Sequence, residues 1–114
     1  MSAGLQTILY TVNDLEAAKA VFTAMLGVAP IADAPYYVGW NIDGQDIGLI
    51  PNKDGEGALG SVAYAHVADI RKSFEALLDA GAIEKEAPHG VGGGRLVASV
   101  EFEPGNVVGI LQNP

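Results

Sequence analysis

Histidine is the side chain whose ordinary titration falls closest to neutral pH. This chain has two of them, His66 and His89. His66 closes the strand-like stretch Ala63-Tyr64-Ala65, where it could move a proton or bond a ligand. A half-buried strand histidine bonded to a neighbour would leave the same trace. Tyr64 could stack on a ligand, or serve as a core tyrosine with a satisfied hydroxyl. Tyr36, Tyr37 and Trp40 are flat aromatics that could clamp an aromatic molecule or simply fill a core. Arg95 follows Gly92-Gly93-Gly94, and such a loop could hold a carboxylate or phosphate. The spacing matches no phosphate-loop pattern and no helix starts there, so a hairpin loop with a surface arginine fits better. His89, Asp46, Glu101 and Glu103 read as solvated groups beside turns. Ser2, Ser61, Ser73 and Ser99 have no Gly-x-Ser-x-Gly setting, which removes support for a serine nucleophile.

The totals narrow the partners. Six basic residues against fourteen acidic ones give a net charge of −8 across 114 residues. Such a surface repels phosphate backbones and anionic headgroups, so neither nucleic acid nor a membrane is expected as a partner. There are no cysteines, hence no disulfide and no thiolate ligand, which fits a reducing compartment. No apolar run approaches the roughly 20 residues of a membrane span, and Met1 to Leu5 carries no basic leader. A cytoplasmic protein is expected.

The elements that must position these residues come in two copies. Ile8-Leu9-Tyr10-Thr11-Val12-Asn13-Asp14-Leu15 leads into a helical stretch ending Leu26-Gly27. Ala63-Tyr64-Ala65-His66-Val67-Ala68-Asp69-Ile70 does the same, ending Ala80-Gly81. Asp14 and Asp69 suit helix N-caps, and Gly27 and Gly81 suit stops. The first helix should bury Leu15, Ala18, Val21, Phe22 and Met25, the second Ile70, Phe74, Leu77 and Leu78. Strands are expected at 5–12, 29–31, 36–42 and 46–50, with a break at Asp33-Ala34-Pro35 and a hairpin turn at Asp43-Gly44. The second copy should hold strands at 61–67, 83–86, 95–102 and 107–111, with loops at His89 to Gly94 and Glu103 to Asn106. Residues 1–52 then form one βαβββ module, 53–60 a Gly-rich linker, and 61–114 a second module. A single module leaves a sheet face to bury beyond its helix, so two should cup against each other in an α+β fold.

This order, with its repeated Val-x-Asp-Leu/Ile openings and the closing Phe102-Glu103-Pro104-Gly105-Asn106-Val107-Val108-Gly109-Ile110, resembles the vicinal oxygen chelate superfamily. That group holds glyoxalases, bleomycin resistance proteins and extradiol dioxygenases. The resemblance implies a cupped, open mixed sheet whose concavity holds the ligand. It also implies four metal-ligand positions, one near the start of the first strand and one in the last strand of each module. They fall on Thr7, Gly48, Val62 and Gly109, and a divalent ion needs several N, O or S donors that this set lacks. No metal and no other cofactor is therefore expected.

If Thr7 and Val62 face the concavity, strand alternation brings Leu9, Thr11, Tyr64 and His66 with them. Gly48, Ile50, Gly109 and Leu111 face it from the closing strands, and Trp40 joins them as an aromatic wall. The opposite parity, Ile8, Tyr10, Val12, Ala63, Ala65 and Val67, should pack under the helices. The leading expectation is a metal-independent protein that binds a small apolar or aromatic molecule. The alternatives are a metal-free lyase or isomerase with His66 as acid or base, and a metal-dependent glyoxalase or dioxygenase whose ligands lie elsewhere. Exposed strand edges also suggest a homodimer.

Overall fold

In the computed structural model two aspartates start the two helices in the same way. Asp14 has extended backbone and accepts a 3.0 Å hydrogen bond from Ala17 N through its carboxylate. Asp69 does the same for Lys72 N at 3.2 Å. Each satisfies one of the first-turn amides that a helix leaves unbonded. Helix α1 (Leu15–Leu26) stops at Gly27, whose φ of 78° is the left-handed conformation that glycine adopts without strain. Helix α2 (Ile70–Asp79) stops at Ala80, with Gly81 following at positive φ.

The structure describes residues 4–53 and 60–114. The expected linker at 53–60 lies almost wholly outside them. The chain divides into two compact units, Thr7–Ser61 on one hand and Val62–Pro114 with Met1–Gln6 on the other. The fold is α+β.

In the first unit β1 (Leu5–Val12) runs parallel to β4 (Gln45–Pro51). Strand β3 (Tyr37–Ile42) pairs antiparallel with β4, and β2 (Ala32–Ala34) antiparallel with β3. The Asp43-Gly44 turn has positive φ at both residues, the geometry of a two-residue hairpin, and it fixes the register. Ile42 meets Gln45, Trp40 meets Ile47, and Gly39 meets Gly48. One sheet face carries Val38, Trp40 and Leu49, fully buried, with Tyr10, Ile42 and Ile47 beside them and Leu15, Ala18, Phe22 and Leu26 of α1 above. Phe22 sits edge-on to Tyr10 at 5.4 Å and tilted against Trp40 at 5.8 Å. Val21 and Met25, expected in this core, are exposed. The half-buried stripe follows Leu15, Ala18, Phe22 and Leu26, and residues one position earlier turn about 100° away from it.

The expected strand at 29–31 is instead β2 at Ala32–Ala34. The expected break at Asp33-Ala34-Pro35 holds at Pro35, which opens a tight turn into β3, while Asp33 and Ala34 belong to β2.

The second unit repeats the plan. Strand β5 (Gly60–His66) runs parallel to β8 (Asn106–Gln112). Strand β7 (Leu96–Glu103) pairs antiparallel with β8, and β6 (Ile83–Gly90) antiparallel with β7. Ile70 and Phe74 of α2 pack on Ala98, Val100 and Ile110, flanked by Ala65, Val67, Leu77 and Leu78. Strand β6 extends to Gly90 and so absorbs His89, which the sequence places in a loop. Its Glu, Lys and Pro content suits an exposed edge, and register shifts interrupt its pairing. Among the described residues no helix is long and apolar enough to cross a membrane.

Candidate functional site

With Tyr10 under α1, alternation sets Thr7, Leu9 and Thr11 on the other face of β1. Their partners on β4 are Asp46, Gly48 and Ile50. The neighbours on β3 are Asn41, Gly39 and, at the strand start, Tyr37. Two structures on this face matter. The first is a polar row across three strands. Thr7 is buried and its hydroxyl donates to Asp46 at 3.4 Å, while Asn41 Nδ2 donates to the other Asp46 oxygen at 2.8 Å. The second is the Tyr37 ring. A β-carbon at Gly39 would lie 2.6 Å from Tyr37 Cε2, and one at Gly48 would lie 2.8 Å from Cε1 and 2.9 Å from Leu9 Cδ1. The ring therefore rests on two paired glycines, where no other residue leaves space for it.

The second unit has a matching face. With Ala65 and Val67 packed under α2, Val62, Tyr64 and His66 take the opposite parity. Tyr64 pairs with Gly109, and His66 with the buried Leu111. Gly109 in turn pairs with buried Ser99, and Ser99 with Glu86. The Tyr64 ring lies against Gly109, so that a β-carbon there would come within 3.0 Å of Tyr64 Cγ and closer still to Cδ2 and Cε2. Burial holds the Tyr64 phenol above its ordinary pKa, and the Glu86 carboxylate pushes in the same direction. His66 Nδ1 is 3.5 Å from Asn113 Nδ2.

Trp40 stands apart. It is 2% exposed, lies in the core beneath α1, and donates through Nε1 to Val28 O at 3.1 Å. The ligand wall expected of Trp40 is thus on the wrong face. Tyr37, not Trp40, is the β3 aromatic whose ring lies over Gly39 and Gly48. The signal for this is the Asp43-Gly44 turn: a two-residue hairpin sets Trp40 opposite Ile47 and Gly39 opposite Gly48. Asp46, expected at a solvated edge, pairs with the buried Thr7 on the face away from α1. Its bond to Asn41 crosses the Asp43-Gly44 hairpin, but its bond to Thr7 joins strands far apart in sequence, and no local spacing signals it.

The donor set does not fit a divalent ion. Thr7 and Val62 supply one bonded hydroxyl and no donor respectively, and Gly48 and Gly109 supply no side chain. A carboxylate placed at either glycine would collide with a tyrosine ring. Among the described residues no group of three or more His, Cys, Asp or Glu could hold a metal.

A family model, Glyoxalase/Bleomycin resistance protein/Dioxygenase superfamily, matches residues 4–108. No curated protein matches in sequence. Several solved structures share the fold. One is a protein described as an NAD-dependent benzaldehyde dehydrogenase from Legionella pneumophila, with TM-score 0.75 and 15% identity over 95% of this chain and 98% of that one. Another is a glyoxalase/bleomycin resistance protein/dioxygenase superfamily member from Vibrio splendidus 12B01, with TM-score 0.70 and 14% identity over 94% and 97%. A third is methylmalonyl-CoA epimerase from Mycobacterium tuberculosis, with TM-score 0.70 and 14% identity over 99% and 89%. At these identities the likeness is one of fold.

Proposed function

The chain belongs to the glyoxalase/bleomycin resistance protein/dioxygenase superfamily, and from that premise we propose that it binds a small apolar or aromatic molecule without a metal. The observation that carries this reading is the pairing of a tyrosine ring with a glycine in each unit, Tyr37 on Gly48 and Tyr64 on Gly109. The positions where the family places a ligand carboxylate bear an aromatic surface instead. Leu9 lies against Gly48 beside the first ring, and Ile50 and Val62 share the same strand faces and extend that surface with apolar groups. Thr11 and His66 supply polar contacts at its margin. Flat rings backed by a sheet suit stacking against an aromatic ligand. We place the protein in the cytoplasm, as a homodimer, on its lack of cysteine and its strand edges.

A ligand that binds only the native state raises apparent stability, by about 2.7 kcal/mol at a hundredfold excess over Kd. A thermal-shift screen of aromatic and apolar compounds, run beside Ni²⁺, Zn²⁺ and Mn²⁺ with and without chelator, tests the proposal. Stabilisation by an aromatic compound is expected. Stabilisation by a metal that chelation removes would sink it. A second reading, a lyase or isomerase in which His66 moves a proton, draws on His66 sharing strand and face with Tyr64. Binding that survives His66→Ala while turnover of the bound compound disappears would favour that reading.

A further inference from the structure

In the second unit four strands set one residue each in a single row: Tyr64 on β5, Gly109 on β8, Ser99 on β7 and Glu86 on β6. Ala98 and Val100 pack under α2, so alternation turns Ser99 to the opposite face, the one that bears the Tyr64 ring. Ser99 is 4% exposed, a setting in which a hydroxyl is normally bonded. Among the described residues it has no hydrogen-bond partner. None of their side-chain oxygens is both sealed from solvent and unpartnered, so the Ser99 oxygen stands at the face and not beneath it. A polar group arriving from outside completes it.

Glu86 ends the row. It is exposed, and among the described residues no lysine or arginine forms an ion pair with it. Burial, and then the Glu86 charge, hold the Tyr64 phenol protonated, so the field of this carboxylate reaches across the row to the ring. Two residues along β7 from Ser99, Glu101 adds a second negative charge to the same face, with one oxygen accepting from Gly105 N at 3.1 Å. A tyrosine ring face attracts a cation in its own right. The net charge of −8 acts in the same direction.

We propose that this row is a subsite for an organic cation. The ligand carries an ammonium or amidinium group that pairs with Glu86, lies against the Tyr64 ring and donates to the Ser99 hydroxyl. This rests on the binding reading above for the remainder of the ligand, which is aromatic. An alkyl- or arylammonium suits the row better than a metal ion, because the tyrosine ring and the buried Leu111 nearby offer it contact and offer a metal no donor.

Three probes of one shape test the subsite: naphthalen-2-ylmethylammonium, naphthalen-2-ylmethanol and naphthalene-2-carboxylate. Each is titrated into the ¹⁵N-labelled full chain and followed by ¹H–¹⁵N spectra. The ammonium should bind about tenfold more tightly than the alcohol, as a hydrogen bond to a charged group does against a neutral one. It should move the amide signals of Ser99 and Glu86, and the carboxylate should bind least. Glu86→Gln should bring the ammonium down to the affinity of the alcohol. Ser99→Ala should lower ammonium affinity about fivefold. Glu75→Gln removes an equal charge from the exposed side of α2 and should leave the preference intact, which separates a local pair from the net charge of the chain. Equal affinity for ammonium and alcohol would overturn the subsite and leave the binding reading standing. So would a preference for the ammonium that survives Glu86→Gln. Binding of the ammonium at Glu86 with an inert alcohol would keep the subsite and count against the aromatic part of the reading. Binding of none of the three would overturn the subsite, while the wider compound screen judges the binding reading separately.

Discussion

The ring of Tyr64 occupies the space that a side chain at Gly109 would need, from the neighbouring parallel strand. Gly109→Ala should therefore destabilise the protein by about 1–3 kcal/mol, the usual cost of forcing volume into a packed site. Tyr64→Ala should cost stability by itself through lost burial. The double variant should be more stable than the sum of the two losses, because the methyl then enters space the ring has left. Urea denaturation of the four proteins measures the coupling. Strict additivity would mean that ring and glycine do not meet.

The repeat makes most of the fold readable. Asp14 and Asp69, with Gly27 and Gly81, announce both helices, because caps are local chemistry between a side chain and amides two or three residues on. The hairpin at Asp43-Gly44 is readable for the same reason. Strand β6 is harder. Its first half, 83–86, is expected from the sequence, but Pro88 and His89 read as loop, and only the pairing with β7 carries the strand on to Gly90. The face of β1 and β5 follows from the polar and apolar halves of each strand. The face of Trp40 does not follow from residue type, since a large aromatic suits a core and a binding wall equally. The partnership of Asn113 with Arg95 and His66 joins residues far apart in sequence, and no local pattern signals it.

Trp40→Ala should be among the most damaging single substitutions, costing about 3–5 kcal/mol as a buried aromatic lost from the core. Trp40→Phe should cost less, losing the bond to Val28 O while keeping contact with Phe22. Because Trp40 belongs to the helix-side core, Trp40→Phe should leave the affinity for any aromatic ligand unchanged. Tyr37→Ala should weaken it. Chemical denaturation and a binding titration on the same variants separate the two roles. The reverse pattern would return Trp40 to the site.

Asp14→Ala and Asp69→Ala should each lower stability by about 0.5–2 kcal/mol, since each leaves a first-turn amide without its acceptor. Serine at either position keeps an oxygen within reach and should recover most of the loss. The two effects should add, as the caps serve different helices in different units. Thermal denaturation with single and double variants is sufficient. A strongly non-additive pair would indicate that the caps share a partner.

Tyr64 sets the behaviour of the second unit at high pH. Burial, and then the nearby Glu86 carboxylate, hold its phenol protonated above the ordinary tyrosine value near 10. Below that value the phenol is neutral whether the chain is folded or unfolded, and its stabilising effect is fully present. As pH rises past it, the unfolded chain releases this proton first, and stability falls until the folded phenol has titrated as well. Tyr64→Phe removes the ionisable group, so its stability should decline less steeply over the same alkaline range. Glu86→Gln removes the smaller of the two causes and should bring Tyr64 part of the way back toward its ordinary value, the remainder being burial. The difference in phenolate absorbance between the unsubstituted protein and Tyr64→Phe, followed on raising pH, isolates this one residue. A Tyr64 that titrates at the unfolded value would mean that its hydroxyl stands in open water. The ring could then still shield Gly109, but it would no longer offer a dry aromatic surface to a ligand.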